Sequence, residues 1–166
     1  VGWEKGIMQG QYLEWNSENY KVIEGEYDQG EKHGQWTKRY DDGTLERQEN
    51  YINGKMDGQL IKWNSEGVKT EEGSYKAGVK HGIWTTWNNA KFKKNEDTYF
   101  NGVINGKITM WDDNGNKERE GIIRENEPEG VWTYFNPNGI QDFKFDYGKG
   151  LEQVRIADLE ERDRIF

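Results

Sequence analysis

Cysteine is absent from this 166-residue chain, and proline occurs twice. The lack of cysteine excludes disulfides, thiolate metal sites and a cysteine nucleophile, while leaving the compartment open. Long apolar runs are missing too: no stretch approaches the roughly 20 apolar residues of a membrane-spanning helix. Hydrophobic residues make up only 32% of the chain, few for an ordinary globule with a thick central core. Basic charge is in deficit, with 23 Lys and Arg against 31 Asp and Glu and a formal charge of -8. That balance opposes attraction to phosphate backbones and anionic lipid, so nucleic acid is not an expected partner. The two charge signs are mixed along the chain, which fits a solvated surface and leaves a basic protein partner open.

What the chain does have is aromatic residues and glycine. Eight Trp, nine Tyr and six Phe bury more area per residue than aliphatics, so a thin structure is still stabilised. Twenty-one Gly point to many tight turns.

These residues recur every 24 positions. Taking Trp3 as slot one of the first unit, the same slot holds Tyr27, Tyr51, Tyr75, Tyr99, Ile123 and Tyr147. Slot four reads Gly6, Gly30, Gly54, Gly78, Gly102, Asn126 and Gly150, and slot eight is glycine in all six full units. Slot ten is large and apolar: Tyr12, Trp36, Leu60, Trp84, Ile108 and Trp132. Slot thirteen gives Trp15, Trp63, Trp87, Trp111 and Phe135, with Arg39 as the departure. An Asn/Asp/Gly turn follows, as in Asn64-Ser65-Glu66-Gly67. Each unit therefore reads as a Gly-bounded turn, a strand of about six residues, a second turn and a second strand of about six. Pro128 and Pro137 both fall in predicted turns. Six units give about 12 strands, and at roughly 4.8 Å per strand a sheet of about 55 Å.

Odd and even units differ. Odd units carry Gly25, Gly73 and Gly121 at slot twenty-three, where even units carry Glu49, Asp97 and Phe145. Slot ten is Trp36, Trp84 and Trp132 in even units only. A bare glycine leaves room for a neighbouring indole to lie across the backbone; duplication of a two-unit ancestor would leave the same pattern without structural meaning. The expected fold is all-β: an elongated antiparallel sheet of tandem β-hairpin repeats with a 24-residue period and a 48-residue super-period. The repeat domain spans residues 3–150. The tail, 151–166, has helical spacing and favourable pairs Asp158/Arg162 and Glu160/Arg164, and reads as a short C-terminal helix capping the last edge.

The stretch Tyr51-Ile52-Asn53-Gly54-Lys55-Met56-Asp57-Gly58, followed by Trp63 and Gly67, resembles the bacterial MORN-repeat variant, the repeat of the YwqK-type antitoxin family. The resemblance runs from residue 3 to about 150, with departures at Lys91, Ile123 and Asn126 that suggest altered turns. It implies a non-catalytic scaffold for a protein partner, in antitoxin or immunity form, and supplies no catalytic motif. An antitoxin-like chain would be cytoplasmic, and one that lost a leader before Val1 would be exported. The alternative is a surface-associated carbohydrate- or choline-binding module using aromatic rows.

No chemistry-bearing constellation competes with these readings. His33 and His81, the only histidines, share slot seven, where a solvated turn is expected. Four strands, or roughly 19 Å, separate them, too far to share a metal ion. Glu71-Glu72 and Asp112-Asp113 have no cleft assigned to them, and the Asp-rich turns lack calcium-loop spacing. No catalytic residue, metal or cofactor is expected. Slots ten and thirteen lie an odd number of residues apart, so each sheet face carries an aromatic row unless a bulge intervenes. The expected partner contacts are Trp15, Trp63, Trp87 and Trp111.

Overall fold

The computed structural model describes residues 2–148 and the backbone of 153–155. The strands are β1 (Gly2–Glu4), β2 (Ile7–Trp15), β3 (Lys21–Asp28), β4 (Glu31–Arg39), β5 (Leu45–Ile52), β6 (Lys55–Trp63) and β7 (Lys69–Lys76). They continue as β8 (Val79–Trp87), β9 (Lys93–Phe100), β10 (Val103–Trp111), β11 (Lys117–Arg124), β12 (Glu127–Phe135), β13 (Gln141–Asp146) and β14 (Gln153–Arg155). The chain divides into two compact units, Val1–Gly82 and Ile83–Phe166. In each, strands adjacent in sequence pair antiparallel, as a tandem hairpin array requires.

The hairpin turns follow from slots three and four. Asn53 and Gly54 adopt φ of 48° and 73°, and Gln29 and Gly30 adopt 50° and 84°, the left-handed pair of a two-residue hairpin whose twist matches its strands. The sixth unit keeps this geometry, with Glu125 at 50° and Asn126 at 69°, and Lys91 takes 68° in place of a turn glycine. The altered turns expected there are not found, because asparagine and, at some strain, other residues tolerate that region. Slot-four amides also tie consecutive hairpins together: Gly54 N donates to Lys32 O at 3.0 Å and Asn126 N to Ile104 O at 3.1 Å.

The second turn is set by one side chain. Asn64 Oδ1 accepts from the backbone N of Glu66 and Val68, and Asp112 Oδ1 from Asn114 and Asn116. A short side chain that accepts from amides two and four residues on closes the turn on itself. The Asp112 carboxyl, held below its usual range by the Asn116 amide and its neighbours, is thereby committed to the backbone.

Slot eight corrects the expected strand length. Gly34 and Gly130 have φ of 67° and 64°, yet lie inside the nine-residue strands β4 and β12. Each marks a bulge where register slips: Glu24 pairs with Thr37 but Glu26 with His33, and Glu120 with Thr133 but Ile122 with Glu129. A left-handed residue absorbs the surplus backbone without ending the strand. Pro128 accordingly sits in β12 opposite Ile123, beside an interrupted ladder and not in a turn; Pro137 is in the turn before β13.

The even units differ in how the carbonyl beside the bulge is satisfied. The bulge leaves the Glu26 and Ile122 carbonyls for a side chain to satisfy, and Trp36 Nε1 donates to Glu26 O at 3.2 Å and Trp132 Nε1 to Ile122 O at 3.1 Å. To reach those carbonyls each indole lies flat on the strand before it, over a glycine. A Cβ on Gly25 would stand 2.2 Å from Trp36 Cδ2, and one on Gly121 2.3 Å from Trp132 Cδ2. Trp36 and Trp132 are each 4% exposed. Leu60 and Ile108 are equally buried and meet the same slot, Glu49 and Gly73 for Leu60 and Asp97 and Gly121 for Ile108. What sets Trp36 and Trp132 apart is the indole N–H on the carbonyl beside the bulge, and that bond is the structural counterpart of the odd–even alternation.

The tail departs from expectation where it is described. Gln153–Arg155 forms β14, pairing with Phe143–Phe145 of β13, where a helix was expected from residue 151. The open edge of β13 presents unpaired amides and carbonyls that a strand satisfies and a helix would not. The remainder of the proposed helix lies outside the described residues.

Candidate functional site

Alternation along each strand gives the units two chemically different faces. Slots one, ten and twenty-three share the first face. In Val1–Gly82 its aromatic stack runs through Tyr12, Trp36 and Tyr51: Tyr12 stacks on Trp36 at 5.6 Å between centroids, and Tyr27 and Tyr51 meet Trp36 edge-on at 5.0 and 6.4 Å. The second face carries slots eleven, thirteen, nineteen and twenty-two. There Thr37 and Thr109 are buried beneath ion pairs, with Lys21 on Glu24 at 2.8 Å and Lys117 on Glu120 at 3.0 Å. The Lys21 ammonium holds the Glu24 carboxyl below its usual range.

The four expected contact residues lie in slot thirteen of this second face. Trp15 is 48% exposed, and Trp63, Trp87 and Trp111 are half-buried. Within Ile83–Phe166, Trp87, Trp111 and Phe135 occupy alternate strands, roughly 10 Å apart. Lysines lie over two of these rings: Lys93 Nζ is 5.5 Å from the Trp111 centroid and Lys117 Nζ 5.6 Å from that of Phe135. Within Val1–Gly82 the row is interrupted. Arg39 stands between Trp15 and Trp63, its guanidinium 3.6 Å from Glu24 and bonded to Gly43 O.

The histidines are not in solvated turns. His33 is in β4 and His81 in β8, both half-buried, and the buried His33 Nδ1 has no hydrogen-bond partner. The adjacent acids Glu71 and Glu72 bond different lysines: Glu71 reaches Lys62 at 2.7 Å, and Glu72 reaches Lys69 at 2.7 Å. Burial pushes the Glu71 carboxyl up, but the Lys62 and Lys80 ammoniums prevail and hold it low. Among the described residues no group of three His, Asp or Glu is placed to hold a metal ion, and no helix is long and apolar enough to cross a membrane.

The first face holds a site that slot reading passed over. Glu49 is 3% exposed, at the position where odd units have glycine. Its Oε1 accepts from the Tyr51 hydroxyl at 2.9 Å and lies 3.7 Å from Arg47 Nε. Glu49 Oε2 and Arg47 Nε are buried and make no hydrogen bond. Both residues line a cleft of about 150 Å³ with Tyr12, Lys32 and Trp36. The Lys32 ammonium is 4.2 Å from the Trp36 centroid and 4.9 Å from that of Tyr51. Burial, then the Glu49 hydrogen bond, pushes the Tyr51 phenol up to about 12. The available signal was a single carboxylate at a slot otherwise filled, in this region, by small residues between aromatics.

A family model for the MORN repeat variant matches residues 32–53. That segment runs from slot six of the second unit into the next hairpin turn, and so includes the slot-eight bulge, Trp36 and Glu49. Repeats of this kind serve generally as modules of protein or membrane interaction. No curated protein matches the chain.

Proposed function

We propose that this protein is a non-catalytic repeat scaffold that engages a protein partner through the second face of its hairpin units. Trp15, Trp63, Trp87 and Trp111 are the anchors. The observation that carries this reading is the Trp87–Trp111 row: two large indoles on alternate strands of one face, each keeping part of its surface open. Tryptophans in such positions supply a disproportionate share of binding energy at interfaces. The flanking lysines and glutamates are mutually paired and form a polar rim. An antitoxin or immunity role is the specific form we put forward, supported by the resemblance to the YwqK-type family; its partner would be a toxin.

The test is capture of a stoichiometric partner by the wild-type chain beside a Trp87→Ala/Trp111→Ala variant of equal stability. The reading expects a partner whose affinity falls by about 30-fold or more in the variant. Undiminished capture would remove the indole row from the interface. Glycan or choline binding to the same indoles, with no protein captured, would replace the scaffold reading with a carbohydrate- or choline-binding one.

A further inference from the structure

From the Glu49 cleft on the opposite face we infer that Val1–Gly82 binds a small carboxylate ligand that carries an N–H donor beside its carboxylate, as in an amino acid or the C-terminal residue of a peptide. A buried ionised carboxylate is costly unless both oxygens are satisfied. Glu49 has Tyr51 on Oε1 and no protein donor on Oε2. Beside it, Arg47 Nε is a buried donor without an acceptor. One unmet acceptor and one unmet donor, on residues lining the same cleft, ask for a ligand presenting the opposite pair.

Charge narrows the class. Lys38 is held by Glu46 at 2.8 Å, which leaves Lys32 and Arg47 against the single carboxylate of Glu49, a surplus of one positive charge. A carboxylate placed toward Arg47 and Lys32 neutralises that surplus, and its N–H answers Glu49. Size narrows it further. A cleft of about 150 Å³ matches a cavity that admits benzene, so the bound part is one residue or one small molecule. Tyr12 and Trp36 supply flat apolar walls for its side chain.

The combination is confined to the second unit. Stepping by 48 and 96 residues replaces Arg47 with Asn95 and Phe143, and Glu49 with Asp97 and Phe145. A framework role for the Glu49–Arg47 pair would have recurred with the indole it adjoins.

The experiment follows the indole N–H signals of Trp36 and Trp132 by NMR in the full chain during titration with three probes: N-acetylalanine, free alanine and N-acetylalanine amide. The expected result is a saturable shift at Trp36 with a carboxylate probe, a still Trp132, and no shift with the amide, which lacks the carboxylate. A stronger response to N-acetylalanine identifies a peptide C-terminus, and one to free alanine a free amino acid. Glu49→Gln, which keeps the shape and the Tyr51 contact, should weaken binding by about tenfold or more. Arg47→Gln reads the same site from its exposed side and should do likewise. Absence of a saturable shift with both carboxylate probes at millimolar concentration overturns the inference, as does an equal response to the amide or unchanged affinity in both variants.

Discussion

Trp36 and Trp132 occupy the same slot two super-periods apart, and their surroundings separate what builds the repeat from what varies on it. Both lie over a bare glycine, and both donate to a carbonyl next to a bulge. Around Trp36 the remaining slots hold Tyr12, Lys32, Lys38, Arg47 and Glu49. Around Trp132 the equivalent slots hold Ile108, Pro128, Tyr134, Phe143 and Phe145. There Tyr134 stacks on Phe143 at 4.5 Å, and Phe145 meets Tyr147 edge-on at 4.6 Å. Ile108, Ile123 and Trp132 form a buried cluster. One backbone device thus supports a charged cleft in one unit and an apolar aromatic stack in the other. Glycine, bulge and indole belong to the framework; slots six, twelve, twenty-one and twenty-three, with slot ten of the unit before, carry the individuality.

Removing either indole tests the shared part and has the largest expected effect. Trp36→Ala and Trp132→Ala should each cost about 3–5 kcal/mol in urea unfolding, from lost burial and an orphaned carbonyl. A large loss in one and a negligible loss in the other would break the equivalence. Next come the glycines beneath them. Gly25→Ala and Gly121→Ala each drive a methyl into an indole and should cost about 3 kcal/mol. Gly34→Ala, with nothing within 4 Å of its Cβ, bears only the left-handed backbone penalty of about 1–2 kcal/mol. Equal costs at Gly25 and Gly34 would mean that indole contact is not what excludes a side chain.

A smaller effect sharpens the difference. Arg47→Ala leaves the buried Glu49 charge without its nearest cation and should cost about 1–2 kcal/mol, discounted because Arg47 is 38% exposed. Arg119, in the same slot of the fifth unit and facing Met110 Sδ, should cost under about 0.5 kcal/mol when changed to Ala.

The smallest effect at neutral pH is alkaline. Burial, then a hydrogen bond, pushes Tyr51 up to about 12 through Glu49 and Tyr134 up to about 12 through Tyr147. Below pH 10 folded and unfolded chains both keep these phenols protonated, so their contribution is complete. Between about pH 10 and 12 the unfolded chain ionises first and stability falls. Tyr51→Phe should flatten that decline in Val1–Gly82 and Tyr134→Phe in Ile83–Phe166, read as urea midpoints against pH.

Much of this was legible in the sequence because the repeat is strict. Hairpin turns, the alternation of Gly25 with Trp36, and the opposite facing of slots ten and thirteen follow from spacing and side-chain period. Slot eight serves otherwise than its glycine suggests: a glycine at positive φ suits a turn and a bulge alike, and only the partner strand's register distinguishes them. The same ambiguity put Pro128 and His33 in turns. Glu49 was obscure for another reason. A carboxylate in a chain rich in Asp and Glu looks solvated, and its burial depends on Tyr12, Trp36 and Leu60 arriving from three other strands beside Tyr51 of its own. The tail's local helical spacing was outweighed at 153–155 by the open edge of β13.

The central claim is that framework and lining are separable, and exchanging one lining for the other tests it most directly. Tyr12→Ile, Lys32→Pro, Lys38→Tyr, Arg47→Phe and Glu49→Phe together give Trp36 the surroundings of Trp132. Urea unfolding of this variant should give a cooperative transition at or above the wild-type midpoint, since apolar groups replace a buried charge, and Trp36 should no longer respond to N-acetylalanine or free alanine. Loss of the cooperative transition would contradict the account, because the charged lining would then be part of what folds the repeat.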